Sequence, residues 1–269
     1  MIISQDTSHF FKEYDLVFVT GHPRSGTTVT HALVCSAEQI NDYVPETSFL
    51  TGLVKNFVAG FNNDAHNVEF FGSKQGFVDY AGKQIRNFVN DAWVAFGAPK
   101  VLAFKDPLMM ECLDVFRMIF PFARFIISVR DPFETVSSYC AVKRRQGIEV
   151  TADIVKLLAR NVAIDYARAA QIKVNLRGQV LLLHYDNFFD GSYAEKLSTF
   201  HPLIVSRPEK VWDSKFVQDT QKNKTAWMTD KYGKKIDEVK KSSPVLDDEQ
   251  RGIIETVAVP DYKRIMEII

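Results

Sequence analysis

The sequence predicts an α/β protein: a parallel sheet flanked by helices, held in a single domain spanning residues 1–269, with a P-loop-like turn after its first strand. Three observations predict it. Short apolar runs alternate with stretches of helical spacing, the pattern of a parallel sheet with helical crossovers. A glycine-flanked turn, Gly21 to Gly26, follows the first apolar run and opens into a helical stretch. Charged and hydroxyl-bearing residues gather just past each apolar run, at 21–28, 105–107, 130–138 and 185–186. Open α/β sheets bind their ligands outside the carboxyl ends of the strands.

Each element follows in order. Residues 15–20 (DLVFVT) read as a buried strand, and 26–37 as a helix opening directly from the turn. The stretch from Pro45 carries Phe49, Leu50, Leu53, Val54, Phe57 and Val58 at helical spacing, so a helix starting at Pro45 is expected. Pro45-Glu46-Thr47 suits a helix start, with an acid in the first turn favoured by the dipole. NNDAHN, 62–67, has loop composition. A helix is expected over 75–96, a strand at 100–104, a helical run over 111–120 and a strand at 124–129. Helices over 133–145 and 151–176 then lead to a strand at 179–185. Residues 206–244 are lysine-rich and weakly periodic, either a solvated loop or a basic flap over an anion. One or two closing helices finish the chain, with Ser243-Pro244 as the start signal.

Composition narrows the function. The 269 residues are 46% hydrophobic and 25% charged, enough chain for a sizeable core. Lys plus Arg equals Asp plus Glu, 33 each, so no broad basic field for nucleic acid is expected. Cys35, Cys112 and Cys140 form no C-x-x-C pair and sit in apolar or helical stretches, which suggests buried thiols in a reducing compartment. The first residues lack the basic-then-apolar pattern of a signal peptide, and no run of about 18 apolar residues is present. A cytoplasmic protein without a transmembrane segment is expected.

The turn itself, GHPRSGTT, is an anion site by construction. The first N–H groups of a helix lack intrahelical partners, and the helix dipole places positive charge there. Gly21 and Gly26 let the backbone approach a ligand closely. Ser25, Thr27 and Thr28 offer hydroxyls, and Arg24 offers a fork-shaped cation suited to phosphate or sulfate oxygens. A nucleoside-triphosphate loop would carry lysine where Thr27 stands. The missing lysine argues against a γ-phosphate.

GHPRSGTT resembles the 5′-phosphosulfate loop of sulfotransferases that use 3′-phosphoadenosine 5′-phosphosulfate (PAPS), a family whose fold is similar to nucleotide kinases. RFIISVRDPFETVSSY is similar to that family's 3′-phosphate segment, with Arg130 at the strand end and Ser138 eight residues on. Ser137 is the competing hydroxyl, ranked below Ser138 on spacing. LLLHYDNF is a weaker match. The family often has Tyr-Glu-Asp there, with the tyrosine near the adenine, and Tyr185-Asp186 departs from it. The resemblance implies that Arg24, Ser25, Gly26, Thr27 and Thr28 hold the 5′-phosphosulfate, that Arg130 and Ser138 hold the 3′-phosphate, and that Tyr185 lies by the base. No metal is expected.

The same resemblance implies the chemistry. Glu46-Thr47 is similar to the glutamate-threonine of protein-tyrosine sulfotransferases, whose glutamate removes the acceptor proton. Lys105-Asp106-Pro107 is similar to a lysine-aspartate-proline whose lysine neutralises the transferring sulfuryl group. The cytosolic branch has a histidine base where Pro107 stands, which favours Glu46 as the base here. Arg24 shares the electrostatic role with Lys105, and Asp106 serves as a helix cap. His22 lies in the loop as filler or accessory base, while His66 and His201 carry no signal. A basic loop over the donor is a family feature for which Lys222, Lys224 or Lys231 could serve. The expected acceptor is a hydroxyl on an alcohol, phenol, lipid or glycan. Phe57, Phe61, Phe70, Phe71, Phe77 and Phe88 line either an apolar pocket or the core. A divergent P-loop nucleotide or small-molecule kinase is the alternative enzyme. A donor-binding domain without catalysis is the non-enzymatic alternative, against which Glu46 and Lys105 together count.

Overall fold

In the computed structural model, which describes residues 13–176, 178–214, 236 and 244–269, four apolar runs become strands: β1 (Asp15–Gly21), β2 (Val101–Lys105), β3 (Arg124–Val129) and β4 (Val180–His184). They form one parallel sheet in the order β2-β1-β3-β4. Successive side chains of a strand point to opposite faces, and that alternation assigns each residue its layer. Leu16, Phe18, Leu102, Phe104, Phe125 and Ile127 enter the larger core. Val17, Val19, Val101, Ala103 and Ile126 enter the smaller one. A sheet buried on both faces explains why these strands read as unbroken apolar runs.

The larger core is covered by α2 (Ser48–Phe61), α4 (Lys74–Ala95), α5 (Leu113–Ile119), α6 (Pro132–Arg145) and α7 (Ala152–Asn175), with two closing helices, Asp248–Val257 and Val259–Met266, over α7. Phe18 lies at its centre, with the Phe116 ring 5.1 Å away edge-on and Phe125 stacked at 5.7 Å. The smaller core is covered by α1 (Thr27–Cys35) and by Phe188, Tyr193 and Leu197, which come from α8 (Asn187–Asp190) and α9 (Tyr193–Phe200). The central strand β1 is flanked by β2 on one side and β3 on the other. The chain therefore reverses its direction of travel across the sheet at β1, and the crevice above the β1 and β3 ends is the topological switch point.

The structure corrects the sequence reading at several boundaries. NNDAHN is not a loop: α3 runs from Asp64 to Phe71, and Asn63 caps it by accepting from His66 N. The polar cluster was capping chemistry, which shares its residue types with turns. The second helix starts at Ser48, so Glu46 lies before the cap residue Thr47 and not in the first turn. The reason is that Thr47 N donates to Lys105 O at 2.9 Å, which commits this segment to the end of β2 before the helix begins. Residues 107–112 form a 3₁₀ turn capped by Asp106 and opened by Pro107, so only 113–119 are α-helical. The first closing helix is capped by Asp247, which accepts from Gln250 N, and not by the Ser243-Pro244 pair; Ser243 lies outside the described residues, as do Lys222, Lys224 and Lys231.

All three cysteines are buried and free, and burial pushes their thiols up, Cys112 to about 11. Phe57 and Phe77 are buried and join α2 to α4 with rings 5.2 Å apart, while Phe71 packs edge-on against Phe77. These phenylalanines belong to the core, whereas Phe70 is exposed. His201, which carried no signal in the sequence, is buried with Nε2 3.0 Å from Asp15 Oδ2.

Candidate active site

The turn after β1 is built by three residues in the left-handed region: Gly21 (φ 139°), Arg24 (φ 78°) and Gly26 (φ 102°). A Cβ on Gly21 would lie 2.5 Å from the Ser128 carbonyl oxygen, and one on Gly26 would lie 2.6 Å from the Tyr185 ring. Both positions therefore require glycine. Arg24 has no such excuse, and its strained backbone costs about 1–3 kcal/mol unless its surroundings hold it. They do. Its Nε donates to Ser138 Oγ at 3.1 Å, and its carbonyl accepts from Arg130 Nη1 at 3.1 Å. Thr30 then fastens the start of α1, with Oγ1 3.1 Å from Gly26 O and 2.9 Å from Ser128 Oγ.

On the β2 side, Lys105 is the last strand residue and is buried, its side chain 3% exposed. Its Nζ donates to Glu46 Oε1 at 2.9 Å and to Thr28 Oγ1 at 3.3 Å. Burial lowers the Lys105 ammonium, and the Glu46 carboxylate opposes that shift. Asp106, the next residue, accepts from Leu108 N with Oδ1 and leaves Oδ2 buried without a partner among the described residues. Thr20 Oγ1 donates to Asp106 O, which joins the ends of β1 and β2.

The β3 side is held differently. Arg130 is buried, and its Nε donates to Glu134 Oε2 at 2.9 Å. Its guanidinium lies 4.3 Å from the centre of the Tyr185 ring, a cation–π contact. Tyr166 of α7 brackets its backbone, accepting from Arg130 N and donating to Arg130 O. Asp131 caps α6 by accepting from Glu134 N, with Pro132 at the first helical position. Ser138 faces Arg24, whereas Ser137 Oγ accepts from Val245 N. Arg24 is itself lowered by burial, then by Arg130 and Arg145, so several cations share this end of the sheet. His31, on α1, is pushed down to about 3, first by burial and then by Lys105, and is neutral.

The sequence-predicted residues thus fall into two linked groups. Thr28, Glu46 and Lys105 meet on the β2 side, and Arg24, Gly26, Arg130, Ser138 and Tyr185 meet on the β3 side. Ser25 and Thr27 are buried in the turn between them. Arg130 and Ser138 are joined through Arg24. Sequence reasoning missed Glu134 and Tyr166. Glu134 could have been found, because it stands four residues after Arg130 at a helix start. Tyr166 reaches Arg130 from 36 residues away and carries no local signal. Among the described residues no group of three or more His, Cys, Asp or Glu is placed to hold a metal ion, and no helix is long and apolar enough to cross a membrane.

Comparisons with known proteins agree with this fold. Residues 16–194 match the model of the sulfotransferase family. The sulfotransferase domain of the Synechococcus PCC 7002 olefin synthase superposes with a TM-score of 0.53 at 14% identity, over 91% of this chain and 95% of that one. The sulfotransferase domain from the curacin biosynthetic pathway gives 0.52 at 15% identity, over 94% and 96%. At such identities these likenesses establish the fold. No curated protein sequence matches.

Proposed function

The chain belongs to the sulfotransferase family, and we propose that it is a single-domain enzyme moving a sulfuryl group from PAPS to the hydroxyl of an alcohol, phenol, lipid or glycan. One observation carries the proposal: a buried lysine, Lys105, contacts both Glu46 and the loop hydroxyl Thr28. A cation between a carboxylate and an anion-binding loop is what transfer to a hydroxyl requires.

The loop suits the donor on three counts. Ser25 Oγ is buried without a partner among the described residues and would receive one from a phosphosulfate oxygen. Gly21 and Gly26 leave no Cβ in the cradle. Arg24 and Arg130 supply cations where the donor's two anionic ends would lie. The donor, when bound, supplies a sulfuryl group already attached to a phosphate leaving group.

The chain's own residues do the rest. Glu46, half-exposed, accepts the proton of the attacking hydroxyl. Lys105 and Arg24 stabilise the charge that develops as the bridging oxygen departs. Thr28 and Ser25 orient the 5′ end, with Thr27 and Gly26 supplying the start of the helix. Arg130 and Ser138 fix the 3′-phosphate, and Tyr185, already stacked on Arg130, lies beside the base. Positioning and electrostatics do most of the work in such transfers.

The test is transfer of labelled sulfate from PAPS to a panel of small-molecule, lipid and glycan hydroxyl acceptors without magnesium. Label moving to a hydroxyl acceptor is expected. Transfer of phosphate from magnesium-ATP to the same panel, with none of sulfate, would overturn the proposal.

A further inference from the structure

The turn after β1 leaves two buried side-chain atoms without a hydrogen-bond partner among the described residues, Ser25 Oγ and His22 Nε2. The second is not explained by any role given so far. We infer that His22, held by Asp165, is a donor-binding residue: its Nε2–H donates to an oxygen of the anionic group seated in the loop, and the ring takes up a proton when that group binds. This rests on the donor assignment above and deepens it.

His22 follows Gly21 directly and is 4% exposed. Its Nδ1 lies 2.7 Å from Asp165 Oδ2, an oxygen of a largely buried carboxylate on α7. An ionised carboxylate only accepts, so Nδ1 carries the hydrogen. The carboxylate thereby fixes the tautomer, as in a catalytic triad. Nε2 is then a bare acceptor in the neutral ring and a donor in the charged one, and in neither state does it find a partner. Native proteins seldom bury a polar atom unmatched, and those that do so usually have a use for it.

The position of the ring says what the use is. Ser25 N donates to His22 O at 3.0 Å, so both unmatched residues flank one turn, and that turn opens a helix. Its free N–H groups and Arg24 select an anion. Anion oxygens would satisfy Ser25 Oγ and an Nε2–H together. They cannot satisfy a bare Nε2, which is why binding requires the protonated ring. Among the described residues, the ionisable groups near His22 include Asp165 and, 3.6 Å behind it, Arg168, both on α7; Tyr139 on α6, its ring 6.3 Å away, with the Lys143 ammonium 5.8 Å from the Tyr139 ring centre; and Arg24, two positions on in the loop. A bound anion beside the ring favours its charged form.

The sign follows. The anion prefers the protonated ring, so affinity is greatest at low pH and falls as pH rises. Adenosine 5′-phosphosulfate lacks the 3′-phosphate, whose own titration would obscure this. In the wild type it should bind more weakly as pH rises. Calorimetry in buffers of different ionisation enthalpy should show uptake of a fraction of a proton with adenosine 5′-phosphosulfate. His22→Asn should abolish that uptake and weaken PAPS about tenfold, the loss of one charge-assisted hydrogen bond. Asp165→Asn, which keeps the ring, should reduce the uptake. Adenosine 5′-phosphosulfate affinity independent of pH, or uptake unchanged in a cooperatively melting variant, would overturn the inference and leave the donor assignment standing. Failure of the wild type to bind PAPS at all would remove both.

Discussion

Two buried cations flank the loop, and each has a carboxylate oxygen at 2.9 Å, yet the two pairs are built for different ends. Lys105 draws Glu46 from 59 residues away, and the Glu46 side chain is 50% exposed. Arg130 draws Glu134 from four residues away, and both side chains are buried. A half-exposed carboxylate can leave its ammonium for an acceptor hydroxyl at little cost, because water compensates it. A buried one cannot leave, because the guanidinium would be stranded in low dielectric. On the proposed mechanism the β2 side is therefore the pair that opens. The β3 side is a fixed mount, tied further by Tyr166 and Tyr185.

The contrast is tested most severely at Glu46. Glu46→Gln should lower kcat about 10²–10⁴-fold, the ordinary worth of a general base. The glutamine keeps an oxygen for the buried Lys105 ammonium to donate to, so the melting temperature should fall less than in a variant that removes the partner altogether. Glu134→Ala should do the reverse. An uncompensated buried guanidinium costs about 3–5 kcal/mol, which calorimetric melting would read as a fall of roughly 10 °C. A variant of Glu134 that melted like the wild type would erase the distinction.

Much of this was legible in the sequence, and the reasons are specific. The strands were found because a doubly covered parallel sheet demands unbroken apolar runs, and β1 and β3 carry them. Lys105 and Glu46 were singled out by motif, and the structure brings them into a mutual hydrogen bond. Helix starts failed where polar residues serve turns and caps alike, as at Asn63. The start of α2 failed because a bond from Thr47 to Lys105, between distant segments, outweighed local propensity. Asp165 and Tyr166, neighbours on α7 that hold His22 and Arg130, were invisible because only the folded sheet brings them there.

The central claim is that the turn and the β3 mount together hold a nucleotide with two anionic ends. Its most direct measurement is calorimetric titration with 3′-phosphoadenosine 5′-phosphate without magnesium, beside magnesium-ATP. The wild type should bind it in preference to magnesium-ATP, and Arg130→Ala should lose binding. Ser138→Ala should weaken it about three- to tenfold, one hydrogen bond's worth, while Ser137→Ala, whose hydroxyl is spent on Val245, should not. Absence of binding, or a preference for magnesium-ATP, would contradict the account.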